Sequence, residues 1–157
     1  MGVNFLYSKQ LDPVLILPAV AIGLLSVGVL NLNNMRDEAS DRKSNKNTIV
    51  VKMGGLKAKK YHYFLIVTAM IAVLFFAILE DFHFDQYLFL IAYVPLVKHL
   101  ITVNKNKDPN ALDPELKKLA LSTFALSVLL ALCMVSLIQD IIVNLFLGGR
   151  KKKKKDN

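Results

Sequence analysis

Four long apolar segments constrain the fold of this chain more than any other feature of its sequence. A helix needs roughly 20 apolar residues to cross the hydrocarbon core of a bilayer, which is about 30 Å thick. Hydrophobic residues make up 54% of the 157 residues, the mean hydropathy is +0.43, and strand-like alternation is weak. We therefore predict an all-α polytopic membrane protein with about four spans, at about Val14 to Leu32, Tyr63 to Leu79, Gln86 to Val103 and Leu119 to Leu147.

The polar connections between these segments differ in charge, and this difference predicts the orientation of the chain. Residues 34–62 contain eight Lys or Arg side chains and residues 98–118 contain five, whereas the short turn 80–86 contains three acids and no Lys or Arg. Loops rich in Lys and Arg usually face the cytoplasm. We expect a multi-pass protein of the cell (inner) membrane, with the aspartate-rich loop 33–62 on the cytoplasmic side.

The C-terminal sequence conflicts with this simple topology. Four crossings from an external N-terminus place the C-terminus outside, yet residues 148–157 contain six of the twenty basic residues. Either the long fourth segment bends back or lies partly in the interface, or folding of the bundle overrides the preference of the tail. We predict a membrane domain at residues 1–147 and a disordered polybasic tail at residues 148–157, to which we assign no role.

Helix-capping residues flank two of the predicted spans. Asp12-Pro13 places an acceptor at an N-cap and a proline at the first helical position, and Asp113-Pro114-Glu115 repeats this pattern before the fourth span. Gly54-Gly55 predicts a flexible break in the first loop. The three histidines, His62, His83 and His99, have no ligand-type partner at helical spacing, so we expect no histidine-based metal site.

An oxygen-rich stripe follows the first span. If the helix continues past the bilayer, Asn33, Asp37 and Asp41 recur at positions i, i+4 and i+8 and project from one face. Carboxylates in the last turns of a helix repel each other and the negative end of the helix dipole, so a cation must compensate them.

Two sources of compensating charge fit the stripe. In one interpretation, Arg36 and Arg42 balance the acids in an exposed juxtamembrane turn. In the other, Asp37 and Asp41 bind Mg²⁺, with Asn33 as a supporting ligand or diphosphate contact, because this hard ion prefers carboxylates, water and substrate phosphates. Nearby cations then face the phosphates, namely Arg36, Arg42, Lys43 and Lys46.

The residues around this stripe carry a family resemblance. The pattern Asn33-x-x-x-Asp37-x-x-x-Asp41, within "NNMRDEASDRKSNKNT", is similar to the second aspartate-rich motif of intramembrane aromatic prenyltransferases of the UbiA type. It most resembles the 1,4-dihydroxy-2-naphthoate polyprenyltransferase branch through Asn33-Asn34, Arg36-Asp37 and Lys46-Asn47-Thr48. The family often has Gly where this chain has Asn45, and Asn is the next-best residue for a left-handed backbone, so the turn is expected to survive.

The resemblance implies a fold and an activity. Family members resemble a nine-helix bundle in which two aspartate-rich motifs hold Mg²⁺ and a polyprenyl diphosphate, and this chain resembles the C-terminal half, with only the second motif. In this branch the prenyl group replaces the carboxylate of 1,4-dihydroxy-2-naphthoate, which leaves as CO₂, and a demethylmenaquinone forms. Asp37 and Asp41 are the implied catalytic residues and metal ligands, with Asn33 as a further ligand; the implied diphosphate contacts are Asn33, Arg36, Arg42 and Lys46.

The implied partners are the two substrates, the lipid bilayer and a missing N-terminal half, without which we expect little activity; we expect no nucleic acid. An alternative is a noncatalytic membrane subunit or degenerate remnant that binds a partner half, lipid or a divalent cation. A third reading, half of a transporter, is weakened by the scarcity of acids in the middle of the spans, where Asp140 is the exception.

Overall fold

The chain is described by a computed structural model that covers the backbone of residue 6, residues 9–10 and residues 12–153, with side chains up to Val135 except Asn110. No strand occurs in these residues, which confirms the all-α prediction. Three short 3₁₀ segments accompany the α-helices, at Pro13–Leu15, Phe84–Ala92 and Pro109–Leu112. The α-helices are α1 (Ile16–Lys43), α2 (Ile49–Met53), α3 (Gly55–Leu79), α4 (Tyr93–Lys105) and α5 (Asp113–Lys153).

Within the described residues, four helical segments are long and apolar enough to cross a membrane, in agreement with the predicted number of spans. The third span consists of the 3₁₀ segment Phe84–Ala92 followed directly by α4. The fourth span is Asp113–Val135, the part of α5 whose side chains are described. Large apolar side chains such as Phe64, Phe75 and Phe124 are more than half exposed on the outer surface of the bundle. Such a surface is suited to lipid or to further helices rather than to water.

The last helix continues from Asp113 to Lys153 without a break at residue 147, where the sequence divides the chain into a domain and a tail. The helix is therefore not interrupted by the bend that we considered for the fourth segment. The backbone of residues 148–153 continues this helix, residues 154–157 lie outside the described residues, and the disorder of the tail stays a prediction. The division at residue 147 stays a prediction, and the side chain of Asp140 also lies outside the described part.

Helices α1 and α3 pack closely because α1 has a glycine at their crossing. A Cβ atom on Gly28 would lie 2.8 Å from Cδ1 of Ile66 and 3.9 Å from Cε1 of His62. One helical turn further on, the buried Asn31 donates from Nδ2 to the carbonyl oxygen of Ala58 over 3.2 Å. Small residues let helix backbones approach closely, and a side-chain amide that bonds across the interface fixes their register.

The two basic loops lie at the same end of the bundle. Nη1 of Arg36 in α1 lies 2.7 Å from Oδ1 of Asp113 at the start of α5. Lys59 at the start of α3 donates to the carbonyl oxygen of Asn106 in the third loop. This arrangement agrees with the prediction that the two loops share one side of the membrane; which side that is stays a prediction.

The capping prediction is confirmed for the first span and modified for the fourth. Oδ1 of Asp12 accepts a hydrogen bond from the backbone N–H of Val14 over 3.0 Å, and Pro13 begins the helical turn. Asp113 is itself the first residue of α5, behind a 3₁₀ turn, and its carboxylate accepts from Arg36. Gly54, with φ of +80°, separates α2 from α3, so the predicted break in the first loop is also present.

The end of α1 is a left-handed turn at Asn45, as the sequence predicts. Asn45 has φ of +55°, its N–H donates to the carbonyl of Arg42, and the N–H of Lys46 donates to the carbonyl of Asp41. This pair of bonds is the Schellman arrangement, which satisfies carbonyl groups at the helix end. The turn also brings the side chain of Lys46 back to Asp41.

This turn provides a first test of the structure. We expect Asn45→Gly to leave the free energy of unfolding unchanged or slightly higher, because Gly adopts positive φ without steric cost. We expect Asn45→Val to lower it by about 1–2 kcal/mol, because a branched Cβ clashes in the left-handed region. Reversible unfolding in detergent or bicelles measures both values, and equal stability of the two variants would contradict the turn.

Candidate functional site

The stripe of oxygen ligands lies on the last three turns of α1. The helix runs unbroken to Lys43, so Asn33, Asp37 and Asp41 share one face, as the spacing predicts. Nδ2 of Asn33 donates to Oδ2 of Asp37 over 3.4 Å. Asn33 and Asp37 are half-buried and Asp41 is buried, so these polar groups sit in a partly protected environment at the polar end of the bundle.

Arg36 is the centre of the hydrogen-bond network at this end. Its Nε and Nη2 atoms donate to Oδ1 and Oδ2 of Asp37 at 2.8 and 3.0 Å, which is a bidentate pair. Nη2 also donates to Oδ1 of Asn33 at 2.9 Å, and Nη1 donates to Oδ1 of Asp113. A guanidinium group has fixed donors in one plane, so this set of acceptors defines its orientation.

Asp41 differs from Asp37 in having an unsatisfied oxygen. Nζ of Lys46 donates to its Oδ1 over 3.2 Å, and no group of the described residues lies within hydrogen-bonding distance of the buried Oδ2. A buried carboxylate oxygen without a donor carries an energetic cost, unless a ligand or water supplies the missing partner. Asp41 therefore has a free coordination position that Asp37 lacks.

Arg42 lies away from the stripe. Its Nη2 donates to Oε1 of Glu38 over 3.0 Å and approaches the carbonyl oxygen of Val51 at 3.4 Å. Of the three cations predicted to contact a diphosphate, the structure thus brings Arg36 and Lys46 to the stripe and leaves Arg42 on another acid. The charge-balanced interpretation is also partly realised, because Arg36 compensates Asp37 while Lys46, rather than Arg42, compensates Asp41.

The donor set of the stripe is compatible with Mg²⁺. Among the described residues no group of three or more His, Cys, Asp or Glu side chains is arranged to hold a metal ion. Mg²⁺ does not require such a cage, because it is usually held by one or two carboxylates, several waters and substrate phosphates. Asp37 and Asp41 with the amide of Asn33 match this requirement, and Oδ2 of Asp41 is the oxygen that lacks any other partner.

A separate cavity of about 340 Å³ opens at the same end of the bundle. Its wall includes Met35, Glu38, Lys59 and Leu112, and none of the predicted site residues lines it. The stripe and this cavity are consequently on different faces of α1.

Comparison with known proteins identifies the family. Residues 1–113 match the UbiA prenyltransferase family, and this region includes the whole stripe and the loop that follows it. The chain belongs to the UbiA prenyltransferase family. Together with the four apolar helices, membership of the UbiA family makes this an integral membrane protein.

Two curated relatives within the UbiA family are similar to most of this chain. A 1,4-dihydroxy-2-naphthoate octaprenyltransferase of Haemophilus influenzae is 36% identical over 131 residues, which is 83% of this chain and 42% of the relative. The protein of the same name from Escherichia coli is 41% identical over 118 residues, or 75% of this chain and 38% of the relative. The chain thus spans about two fifths of the length of these relatives. No solved structure matches it.

Sequence reasoning missed the role of the first turn of α5 in this UbiA-family chain. We interpreted Asp113 and Glu115 only as capping acids, yet Asp113 binds Arg36 and the 2%-exposed Glu115 lies 2.8 Å from Nδ1 of His99. Nε2 of His99 in turn lies 2.8 Å from Nε2 of His62. His62 and His99 show no helical spacing because they lie on two different helices, with Glu115 on a third, so no local signal reveals their contact.

Proposed function

We propose that this chain supplies one aspartate-rich motif to an enzyme that transfers a polyprenyl group from its diphosphate to 1,4-dihydroxy-2-naphthoate. In this reaction the allylic C–O bond of the polyprenyl diphosphate breaks, and a bond forms to the ring carbon that loses CO₂. The products are diphosphate, CO₂ and a prenylated 1,4-dihydroxynaphthalene, which is the reduced (hydroquinone) form of a demethylmenaquinone. The proposal is consistent with the names of both curated relatives, which include the naphthoate acceptor and an octaprenyl group.

The arrangement of Asp37, Asp41 and Arg36 is the observation that carries the proposal. It combines two carboxylates on one helix face, one with a buried oxygen that lacks a partner, and a guanidinium group oriented by three acceptor residues. A diphosphate site needs both anionic metal ligands and cationic groups within a few ångströms. The three residues provide both types of group on adjacent turns.

Each side chain has a distinct role in this proposal. Asp37 and Asp41, supported by Asn33, hold Mg²⁺, and the bound ion supplies positive charge where negative charge builds up on the leaving diphosphate. Arg36 and Lys46 add charge-assisted hydrogen bonds to the phosphate oxygens. Lys46 suits this role because its side chain is 61% exposed and makes a single long contact to Asp41. Arg42 can contact the diphosphate only if its ion pair with Glu38 breaks.

The apolar helices have a role as well. A polyprenyl tail and an allylic cation require surroundings from which water is excluded, and a helical bundle in a bilayer provides them. The positive loops at the end that carries the stripe favour the cytoplasmic side of the cell (inner) membrane for the diphosphate site.

A second candidate function is that of a noncatalytic membrane subunit. It is favoured by the pairing of Asp37 with Arg36 and of Asp41 with Lys46, which balances the charge of the stripe without a metal ion. It is also favoured by the resemblance to a family whose members use two aspartate-rich motifs, of which this chain has one. In this case the stripe binds a partner half, lipid or a divalent cation without turnover.

A chimeric enzyme distinguishes the two functions. The segment of the Escherichia coli relative that matches this chain is replaced by this chain, and the chimera is expressed in cells that lack their own enzyme. We expect membranes with the chimera to transfer label from a radiolabelled polyprenyl diphosphate to 1,4-dihydroxy-2-naphthoate, and membranes with this chain alone to transfer little. The unmodified relative is the positive control. A chimera that inserts at normal abundance but yields no labelled product favours the noncatalytic function.

A further inference from the structure

A row of buried polar side chains connects three helices of the bundle. His62 of α3, His99 of α4 and Glu115 of α5 are 0%, 1% and 2% exposed. Their contacts run from Nε2 of His62 to Nε2 of His99 and from Nδ1 of His99 to Oε2 of Glu115, each over 2.8 Å. Lys118 donates to the other carboxylate oxygen of Glu115 from the surface. We call this set of contacts the histidine chain.

The histidine chain has a defined hydrogen-bond direction. A carboxylate only accepts, so Nδ1 of His99 carries a hydrogen and donates to Glu115. When His99 is neutral, its Nε2 accepts from Nε2–H of His62, and Nδ1 of His62 is then an acceptor. That nitrogen is buried, and in the described part of the chain no donor contacts it. The hydrogen bond between His99 and Glu115 is therefore the part of the histidine chain in which donor and acceptor are both paired. It attaches the first turn of α5 to α4.

The same first turn of α5 also contacts the stripe. Asp113 precedes Glu115 by two residues, and its carboxylate accepts from Nη1 of Arg36. The side chain of Asp113 is 71% exposed, and an ion pair so accessible to water holds its geometry weakly. A pair of this kind keeps Arg36 in place only if the backbone that carries Asp113 is itself fixed. The bond between Glu115 and His99 is the buried contact that can fix it.

We propose that Asp113 is a positioning residue for Arg36, and that the bond between Glu115 and His99 holds Asp113 in register with α1. The inference rests on the proposed function for the role of Arg36 towards a diphosphate. The orientation of Arg36 itself is measurable without metal or substrate. The chain of contacts then runs from His99 through Glu115 and Asp113 to Arg36, and from there to Asp37.

Arginine side-chain NMR tests this inference on the full chain in nanodiscs. The sequence contains only three arginines, at positions 36, 42 and 150, so the Nε–H signal of Arg36 is assignable by its loss in Arg36→Lys. We expect slow exchange with water in the wild type, because Nε donates to Asp37 within a bidentate pair. Both Asp113→Ala and Glu115→Ala are expected to accelerate this exchange several-fold, about the effect of losing one exposed charged contact.

Two further variants separate positioning from general destabilisation. Glu115→Gln retains an oxygen that accepts from His99, and we expect exchange close to the wild-type rate. The double variant of Asp113→Ala and Glu115→Ala is expected to exchange no faster than Asp113→Ala, because residues that act through one path are not additive. Glu80→Ala, at the opposite end of α3, is the matched control and leaves the rate unchanged.

Specific results overturn the inference. If Glu115→Ala folds and leaves Arg36 exchange unchanged, or if Glu80→Ala accelerates it equally, the histidine chain does not position Arg36. Should Glu115→Ala fail to fold, Glu115→Asp replaces it, because it keeps the charge but withdraws the carboxylate from His99 by one methylene. Unchanged exchange in Glu115→Asp is then the contradicting outcome.

A kinetic measurement on the active chimera links the inference to function. There we expect Asp113→Ala to raise KM for the polyprenyl diphosphate several-fold, about as much as one exposed charged contact contributes, with a smaller effect on kcat. Wild-type KM in this variant would overturn the link between Asp113 and the diphosphate. A chimera without any transfer counts against the proposed function instead, and the exchange rates of Arg36 remain valid evidence for or against the positioning role.

Discussion

Replacement of either aspartate of the stripe is expected to abolish prenyl transfer in the chimera. In Asp37→Asn and Asp41→Asn the side chain keeps its shape but loses the negative charge that a hard divalent cation requires. Loss of groups that stabilise developing charge typically lowers kcat by about 100-fold or more. Initial rates with radiolabelled polyprenyl diphosphate, measured over a range of Mg²⁺ concentrations, should show this loss in both variants.

The effect should differ between the two positions in its dependence on Mg²⁺. Asp41 has a buried oxygen without a partner, so Asp41→Asn removes a free ligand, whereas Asp37→Asn also releases Arg36. We therefore expect part of the activity of Asp37→Asn to return at a lower Mg²⁺ concentration than that of Asp41→Asn. Glu80→Gln is the control, because it makes the same change from carboxylate to amide at the far end of α3, away from the stripe. Transfer at the control rate in both aspartate variants would exclude the metal role and favour the charge-balanced turn.

Loss of His99 is expected to cause the largest fall in stability. His99→Leu removes the donor to Oε2 of the buried Glu115, whose other oxygen keeps Lys118, and leaves both ring nitrogens of His62 without a described hydrogen-bond partner. Leaving a buried polar group without its hydrogen-bond partner typically costs about 1–3 kcal/mol, and two such groups lose a partner here. Reversible unfolding of the full chain in bicelles should therefore show a free energy of unfolding lower by about 3 kcal/mol.

His83→Leu is the control for this stability measurement. His83 is an exposed histidine at the opposite end of the bundle, and the hydrogen bond of its backbone N–H to Gln86 does not require the imidazole ring. We expect its stability to remain close to that of the wild type, because surface substitutions usually have small effects. If His99→Leu and His83→Leu unfold with the same free energy, the histidine chain contributes nothing to the fold.

Much of the stripe could be predicted because it depends on one continuous helix. The spacing of Asn33, Asp37 and Asp41 determines a shared face wherever the helix continues, and α1 continues through Lys43. The left-handed turn at Asn45 was predictable for a similar reason, since few residues tolerate positive φ. Arg42 could not be assigned in this way, because Glu38 at i−4 competes with the stripe for its guanidinium group.

The sequence alone determined the all-α class, the four spans and the position of the aspartate stripe. Each of these follows from local information, namely the length of apolar runs, helical periodicity and the charge of the loops. Only the tertiary structure decided which polar groups meet across helices. Arg36 and Asp113 are 77 residues apart and His62 and His99 are 37 apart, so packing of separate helices, and no spacing along the chain, brings them together.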